Sequence, residues 1–310
     1  MQKVLVAGGT GFVGTNLCKA LLKKKYFVYC LDNNVTGDIN NIEQFKKNKN
    51  FQYINHDINN FINIDTDIIF NLASPASPKQ YQIDPVFTIT TNFNGTLNLL
   101  KLSKLNNSTF LQASTSEIYG DPLEHPQKED YWGNVNPIGL RSCYDEGKRS
   151  AETLCFDFIR QFNVNAKIVR IFNTYGPYLK KGDGRVVSNF IYQSLNNHNI
   201  TIFGKGNQTR SFCYIDDLID GILKTIKTSK KFNGPVNLGN PKEISINQLA
   251  KTIIKLTGSK SKLIYKNLPE DDPERRKPNI NLAKKILKWQ PNTDLNTGLR
   301  KTINYFKTIT

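Results

Sequence analysis

A glycine-rich segment near the start of the chain constrains the fold most strongly. Residues 4–17 read VLVAGGTGFVGTNL, so that Gly8, Gly11 and Gly14 follow an apolar, strand-like run and lead into a helical pattern. Glycines allow the backbone to approach a pyrophosphate closely, and the start of a helix supplies free N–H groups and the positive end of the helix dipole. A second strand-like run follows and ends at Asp32. This context predicts a dinucleotide-binding β-α-β unit rather than a purely structural turn.

The residues after the second strand indicate which dinucleotide is bound. The carboxylate of Asp32 can accept hydrogen bonds from both hydroxyls of the adenosine ribose, and it would repel a 2′-phosphate. Asn33 and Asn34 follow, with no arginine to receive that phosphate. We therefore predict NAD rather than NADP. The predicted cofactor-binding residues along the strand ends are Gly8, Gly11, Phe12, Val13, Gly14, Asp32, Asn33, Thr36, Gly37, Asp57, Ile58, Leu72, Ala73 and Ser74.

Strand-like and helical patterns alternate through the first 170 residues. The strand-like runs are KVLVA, YFVYCL, FQYI, DIIFNL, TFLQAS and AKIVRI, and helical stretches lie near 12–24, 85–105 and 142–162. Such alternation predicts an α/β fold with a Rossmann-type, doubly wound parallel sheet. After residue 175 the pattern is less regular, with helices predicted near 185–195, 216–228, 246–257 and 297–307. We expect an NAD-binding domain over 1–175 and a smaller α/β substrate-binding lobe over 176–310, with some segments crossing back.

Composition excludes several other classes of protein. The 310 residues are 38% hydrophobic and 22% charged, with no apolar run of membrane-spanning length. The net charge of +16 comes from lysines spread along the chain, which predicts solvated surfaces and no nucleic-acid site. The five cysteines are odd in number and lack a C-x-x-C pair, which favours a reducing cytoplasm, free thiols and no metal site. The start of the chain leaves no room for a signal peptide.

The fifth strand and the helix after it carry the candidate chemistry. The strand ends in ASTSEIYGD, which places Thr115, Ser116 and Glu117 at the carboxyl edge of the sheet. Tyr144 and Lys148 follow in SCYDEGKRSAETLCF, and a spacing of four residues stacks them on one face of a helix. A neighbouring ammonium favours tyrosinate and lowers the pKa of a tyrosine, whose usual value is about 10. Beside a nicotinamide site these residues predict hydride transfer, with both Tyr144 and Lys148 also contacting the cofactor.

These motifs together resemble those of the extended short-chain dehydrogenase/reductases that act on nucleotide sugars. Within that group the chain is similar to the UDP-glucuronic acid decarboxylases, also called UDP-xylose synthases, from residue 3 to about residue 306. The segments that carry the resemblance are GGTGFVG, LASPASP, TSEIYGDP, HPQKEDYWGNVNPIG, CYDEGKR, VRIFNTYGP, DGRVVSNFI, GNQTRSF and EDDPERRKP. The resemblance implies NAD-dependent decarboxylation of UDP-glucuronate to UDP-xylose through a 4-keto intermediate, with NAD recycled.

The resemblance also implies roles for individual residues. Tyr144 and Lys148 match the catalytic pair of the family, with Thr115, Ser116 and Glu117 beside them. It implies a homodimer formed through the helices near 88–104 and 142–161. The residues implied to bind the nucleotide sugar are Lys79, Tyr81, Asn173, Arg185, Val187, Phe203, Gln208, Arg210 and one or both of Arg275 and Arg276.

The sequence departs from the family pattern at four places and leaves rival functions open. Asn71 stands where His is common, Leu140 where Pro is usual, and Asn279 where Asp is usual, and residues 178–180 replace a segment with Arg, Met and His. A nucleoside-diphosphoglucose 4,6-dehydratase is the leading rival, although such enzymes carry Asp at the position of Ser116. A 4-epimerase and a non-catalytic relative that senses NAD or binds nucleic acid are weaker alternatives.

Overall fold

The apolar runs of the sequence form the strands of a parallel sheet. A computed structural model describes residues 1–182, 184–267 and 275–309. The predicted strands of the first half are confirmed, each within one residue of its predicted ends. The strands in chain order are β1 (Lys3–Ala7), β2 (Phe27–Asp32), β3 (Phe51–Asn55), β4 (Ile68–Asn71), β5 (Thr109–Thr115), β6 (Ala166–Ile171), β7 (Thr174–Tyr175), β8 (Ile200–Phe203), β9 (Thr209–Ser211), β10 (Cys213–Tyr214), β11 (Val236–Leu238), β12 (Glu243–Ser245), β13 (Leu263–Lys266) and β14 (Arg275–Arg276).

The central sheet has the order β3-β2-β1-β4-β5-β6-β11, and all its strands are parallel. Strands β1 and β5 are almost completely buried, as expected for strands covered on both faces. The order of the strands reverses between β1 and β4, and ligands of such sheets bind in the crevice at the carboxyl ends of the strands on either side of the reversal. The predicted Rossmann-type fold class is confirmed.

The helices in chain order are α1 (Phe12–Lys23), α2 (Pro78–Tyr81), α3 (Pro85–Thr90), α4 (Thr96–Asn106), α5 (Ser142–Phe162), α6 (Val186–Leu195), α7 (Ile215–Ile226), α8 (Ile246–Thr257) and α9 (Leu295–Ile309). Helices α1, α4, α5 and α7 pack on the central sheet, whereas α6, α8 and α9 pack on one another. The helix predicted near 85–105 is interrupted by a π-helical turn over Thr91–Gly95, whereas α5 has the predicted ends. Shorter 3-10 helices, at Ile39–Phe45 and Ser116–Tyr119, were not predicted.

Parts of the second half return to the first. Strand β11 forms the edge of the central sheet beside β6, and α7 packs against α1 on one face of it. The remaining short strands form small sheets, one of which has the order β12-β9-β14 and places Arg276 opposite Arg210. The boundary at residue 175 therefore stays a prediction.

Two observations bear on the compartment. All five cysteines are free and buried. Among the residues that the structure describes, no helix combines the length and the apolar character needed to cross a membrane.

Candidate active site

A continuous cleft runs along the carboxyl ends of the strands on both sides of the β1/β4 reversal. It consists of two adjoining parts, which share Gly8, Gly11, Thr36, Gly37, Leu72 and Ser74. Ligand and cofactor sites of open α/β sheets lie in such crevices. The structure brings together in this cleft all the predicted strand-end cofactor residues: Gly8, Gly11, Phe12, Val13, Gly14, Asp32, Asn33, Thr36, Gly37, Asp57, Ile58, Leu72, Ala73 and Ser74.

The glycine-rich loop has a backbone that side chains would obstruct. Gly8 has φ +80°, and a Cβ atom there would lie 2.8 Å from the backbone of Leu72 and Ala73. A Cβ atom on Gly14 would lie 2.0 Å from the carbonyl oxygen of Gly8. The loop can therefore turn tightly into α1, whose first residues, Phe12 and Val13, line the cleft with the N–H groups that a helix start leaves for a pyrophosphate. These residues fit NAD.

The carboxylate of Asp32 is fixed at the end of β2. Its Oδ2 accepts a hydrogen bond of 3.0 Å from the N–H group of Thr10, and its Oδ1 accepts one of 2.8 Å from the N–H group of Asn34. Asp32 is buried and lines the cleft. Since each carboxylate oxygen can accept more than one hydrogen bond, both keep capacity for ribose hydroxyls.

The predicted catalytic residues meet at the end of β5. Tyr144 and Lys148, on the first two turns of α5, are both buried, and the Tyr144 hydroxyl is hydrogen-bonded to the Thr115 side chain. The ammonium of Lys148 donates a 3.0 Å hydrogen bond to the carbonyl oxygen of Ala113, and its Nζ lies 5.8 Å from the centre of the Tyr144 ring. The hydroxyl, phenol and ammonium groups therefore lie in one buried site. Ser116 follows, buried, in the 3-10 helix.

The acidity of Tyr144 differs from the sequence-based prediction. Burial raises the pKa of its phenol above the usual value, and the hydrogen bond with Thr115 and the positive charge of Arg185 act in the opposite direction. Lys148 was predicted to lower this pKa, but its ammonium is directed to the carbonyl of Ala113. Burial also lowers the pKa of Lys148 to about 8. The physical reason is that desolvation penalises both tyrosinate and ammonium.

Glu117 lies between two arginines. Its carboxylate forms ion pairs with Arg141, which directly precedes α5, and with Arg276 of β14. Burial disfavours ionisation of Glu117, but the charges and hydrogen bonds of Arg276 and Arg141 outweigh burial and lower its pKa to about 2. Arg276 is also buried and donates a 2.7 Å hydrogen bond to the carbonyl oxygen of Gly120. The carboxylate is thus ionised and cannot act as a proton donor at neutral pH.

Three buried polar atoms near this ion-pair cluster have no hydrogen-bond partner within the described part of the chain. They are Nε of Arg276, Oδ1 of Asp145 and the hydroxyl oxygen of Tyr81. The ring of Tyr81 stacks on that of Tyr144, with centres 5.2 Å apart and planes 4° from parallel. Burial, together with the charge of Glu117, raises the pKa of Asp145 to about 7. Buried polar atoms usually have partners, so these three are suited to contact a bound ligand.

Comparison with known proteins agrees with this geometry. Residues 4–239 match the model of the NAD dependent epimerase/dehydratase family. The chain belongs to this family. Membership confirms the predicted NAD cofactor, and it places the tyrosine, lysine and glycine-rich loop in a family of NAD-dependent enzymes.

Individual members of the family are similar over almost the whole chain. UDP-glucuronic acid decarboxylase 1 of Xenopus tropicalis is 48% identical over 306 residues, which cover 99% of this chain and 72% of the relative. UDP-glucuronic acid decarboxylase 3 of Arabidopsis thaliana is 48% identical over 96% of this chain and 87% of the relative. The solved UDP-glucuronic acid 4-epimerase of Bacillus cereus, in complex with UDP-glucuronic acid and NAD, is 30% identical over 99% of this chain and 100% of its own, with a TM-score of 0.88. The resemblance predicted from sequence is confirmed.

The predicted substrate residues of this family member lie in several places. Arg276 is buried in the ion-pair cluster, whereas Arg275 is exposed. Arg185 lines the cleft, with its guanidinium 6.0 Å from the centre of the Phe12 ring. Lys79 donates a 3.2 Å hydrogen bond to the carbonyl of Gly182. The side-chain amide of Gln208 donates a hydrogen bond to the carbonyl of Phe203, and Arg210 lies on β9 beside Arg276. Val187 is buried on α6, and Asn173 follows β6.

Sequence reasoning missed some residues of the site. Arg141 was not singled out, although its place three residues before Tyr144 could have suggested that it borders the site. Val35 and His56 line the cleft beside predicted residues, and Tyr178 and Lys180 line it from the segment that departs from the family pattern. Asp183 of DGRVVSNFI and residues 270–274 of EDDPERRKP lie outside the described residues.

Proposed function

We propose that this protein catalyses the NAD-dependent decarboxylation of UDP-glucuronate to UDP-xylose through a 4-keto intermediate. The observation that carries the proposal is the position of the arginine pair Arg141 and Arg276, held by Glu117, next to Tyr144 and Thr115. The two arginines suit the binding of a sugar carboxylate, and Tyr144 with Thr115 suits the oxidation of a neighbouring hydroxyl. The names of the most similar relatives support the same reaction.

The cleft residues hold the cofactor in this proposal. The N–H groups at the start of α1 bind its pyrophosphate, which the glycine-rich loop allows to approach closely, Asp32 binds its adenosine ribose, and Lys148 binds the ribose of its nicotinamide. When bound, NAD would supply the acceptor for the hydride of C4, and its positive charge would favour ionisation of the Tyr144 phenol, against the effect of burial on the pKa of that phenol.

Tyr144 moves the proton in the first step. Its phenolate oxygen takes the proton of the C4 hydroxyl while the C4–H bond breaks, and a ketone forms at C4. Thr115, hydrogen-bonded to the same phenol, orients the reacting oxygen. Tyr81, stacked on Tyr144, restricts the phenol to one orientation and covers it from water.

The ketone makes the second step possible. It lies β to the C6 carboxylate, so that when the C5–C6 bond breaks its electron pair moves to the C4 oxygen and carbon dioxide leaves. Thr115 and Tyr144 donate hydrogen bonds to the resulting enolate oxygen. C5 then takes up a proton, and reduction at C4 gives UDP-xylose. The protein supplies orientation and hydrogen-bond donors, and the ketone itself accepts the electron pair.

Arg276 orients the departing carboxylate. Its unpartnered Nε is the donor available to a carboxylate oxygen, and the cluster of Glu117 with two arginines carries one net positive charge. Glu117 also offsets part of that charge, so the uronate is held without the full stabilisation that two free arginines would give it before reaction. We assign contacts with the nucleotide and sugar to Lys79, Tyr81, Asn173, Arg185, Val187, Phe203, Gln208 and Arg210.

The experiment that tests the proposal is incubation of the protein with UDP-glucuronate and NAD, with the products identified by NMR. We expect UDP-xylose and carbon dioxide. A 4-keto-6-deoxy sugar formed from UDP-glucose or dTDP-glucose would instead support a dehydratase, and UDP-galacturonate would support a 4-epimerase. Elimination of a C6 hydroxyl needs an acid to protonate it, and the hydroxyl of Ser116 is too weak an acid for that step.

We also propose that the protein is a cytoplasmic homodimer. Exposed apolar side chains lie along α3, the π-helical turn and the ends of α4 and α5, and α3 packs against α5 within the subunit. These side chains are Val86, Ile89, Phe93, Leu105 and Phe162. A second copy would bury them. Five free, buried thiols support a reducing compartment.

A further inference from the structure

Gln127, in the segment HPQKEDYWGNVNPIG, takes no part in the proposed reaction. Gln127 is completely buried, and each of its polar groups is hydrogen-bonded. Its side-chain Oε1 accepts a 2.8 Å hydrogen bond from the N–H group of Lys277, and its own N–H group donates one of 2.9 Å to the carbonyl of Lys277. Its carbonyl accepts one of 2.8 Å from the N–H group of Asn279. Gln127 therefore binds the backbone directly after Arg276 at three points.

Other contacts fix Gln127 itself. Its Nε2 donates a 2.7 Å hydrogen bond to the carbonyl of Glu124, and its carbonyl accepts a second bond, of 3.1 Å, from the side chain of Asn237. Asn237 is buried on β11 and also accepts a 2.8 Å hydrogen bond from the hydroxyl of Tyr119, in the 3-10 helix that contains Glu117. Gln127 is thus tied to the edge of the central sheet and to the element that carries Glu117.

Arg276 depends on these contacts for its position. Strand β14 is two residues long and pairs with β9 on one side only. The guanidinium of Arg276 donates hydrogen bonds to the carboxylate of Glu117 and to the carbonyl of Gly120. A displacement of Lys277 would move the guanidinium, because the two residues are consecutive and the strand is too short to hold its register alone.

We propose that Gln127 is a positioning residue that holds Arg276 in register with the C6 carboxylate of the substrate. The inference rests on the role proposed above for Arg276. The partly buried N–H group of Lys277 is satisfied by Oε1 of Gln127, which lies 150 residues earlier in the chain. Removal of that acceptor lets the 275–279 segment shift, and misplacement of a group by about 1 Å can lower a rate by about 100-fold.

The test compares the wild type with Gln127→Met, which keeps the size of the side chain and removes both of its hydrogen bonds. We expect a kcat/KM for UDP-glucuronate that is lower by about 10- to 100-fold. The Kd of UDP-xylose, which lacks the carboxylate, should not change, and neither should the Kd of NAD. If Gln127→Met does not fold, Gln127→Asn is measured in its place, because its side chain is one methylene shorter and its oxygen no longer reaches the N–H group of Lys277. An equal increase in the Kd values of UDP-glucuronate and UDP-xylose would overturn the inference.

A double-mutant cycle with Arg276→Lys separates positioning from a general loss of stability. If Gln127 acts through Arg276, its replacement should have little further effect once Arg276→Lys is present, whereas independent effects would add. Additive losses in kcat/KM would contradict the proposal.

Glu243→Gln is the matched control. The carboxylate of Glu243 lies 3.2 Å from Nζ of Lys277, so this change weakens an ion pair of the same residue and leaves its backbone bonds intact. The amide oxygen of glutamine can still accept the hydrogen bond that Thr209 of β9 donates to Glu243. We expect a wild-type kcat/KM. A loss as large as that of Gln127→Met would show that the side chain of Lys277, not its backbone, sets the position of Arg276.

The outcome for Gln127 is distinguishable from the outcome for the proposed function. If the wild type forms no UDP-xylose, the proposed function fails. The ratio of the Kd values of UDP-glucuronate and UDP-xylose for wild type and Gln127→Met then decides the positioning role without any turnover.

Discussion

The phenol of Tyr144 is a weaker acid in this protein than in water, because burial and the negative charge of Glu117 both raise its pKa. A general base must nevertheless lose its proton at neutral pH. Thr115 and Arg185 already favour the phenolate, and the proposed mechanism adds the positive charge of the cofactor. The base is therefore effective only when the complete site is assembled, which prevents proton abstraction without a hydride acceptor.

Tyr144→Phe removes the phenol oxygen and keeps the ring that stacks on Tyr81. We expect kcat to fall by about 10²–10⁴-fold, since general base catalysis is lost. The Kd of NAD, measured by calorimetry, should change little because the cleft residues remain. A normal rate in this variant would remove Tyr144 from the mechanism.

The pH dependence of turnover should report Lys148. Burial lowers its pKa to about 8, so the ammonium is present below that pH and is lost as the pH rises through it. We expect kcat/KM to fall above pH 8, in a profile recorded at saturating NAD.

Lys167 provides the control for that profile. Its pKa is also lowered by burial to about 8, but its ammonium donates to the carbonyls of Ser229 and Phe232. Lys167→Met should keep the alkaline decrease. Loss of the decrease in this variant would mean that the profile reports the stability of the fold and not Lys148.

At the scale of elements, the turn from β1 to α1 is the least tolerant part of the cofactor site. A Cβ atom on Gly14 would come within 2.0 Å of the carbonyl oxygen of Gly8 and 2.7 Å of Cα of Gly9. Both are backbone atoms, so the loop would have to move.

Gly14→Ala is therefore expected to raise the Kd of NAD by at least tenfold, about 1.4 kcal/mol of binding free energy. Titration calorimetry measures the change. Gly298→Ala is the control, since its Cβ atom would meet the side chain of Tyr175 in the core and should lower the melting temperature without changing the Kd of NAD. Unchanged NAD binding in Gly14→Ala would contradict the role of the loop.

The sequence predicted local elements better than contacts between distant segments. Helix α5 has the predicted ends because apolar residues recur at helical spacing along it, and β1 is one uninterrupted apolar run. The interruption near residue 91 and the pairing of β14 with β9 have no comparable local signal. The contact of Gln127 with Lys277 depends on how two remote loops pack.

The same limit applied to the departures from the family pattern. Asn279 stands in place of an aspartate, and its Oδ1 accepts a 2.9 Å hydrogen bond from the N–H group of Asn281, a role that an amide oxygen fills as well as a carboxylate. Tyr178 packs on Tyr305 of α9, and its hydroxyl is hydrogen-bonded to Gln44. The structure thus gives both replacements a local function that the sequence did not indicate.

At the scale of the whole molecule, exposed apolar side chains are grouped along α3 and the π-helical turn. The exposed fraction is 71% for Val86 and 42% for Phe93, seven residues further along the chain. Large apolar side chains grouped in this way mark interaction surfaces more often than isolated ones do.

If the proposed dimer forms through this surface, Val86→Asp is expected to give a monomer, because a second copy would bury the new charge without a partner. Light scattering over a range of concentrations measures the mass. Ile264→Asp, at an exposed position on β13 of the second half, is the control and should leave the mass unchanged. A wild type that is monomeric at every concentration would contradict the proposed dimer.

The late position of β11 in the sequence affects how the nascent chain can fold during translation. When the ribosome has released residues 1–175, the sheet already ends in β6, but the strand that pairs with β6 lies more than 60 residues further on. Until then β6 is an open edge, and open edges pair readily with other chains. The face of the sheet later covered by α7 is bare for the same interval. The first 175 residues therefore cannot complete their core until α7 and β11 have been synthesised, and a chaperone that shields β6 would act in that interval.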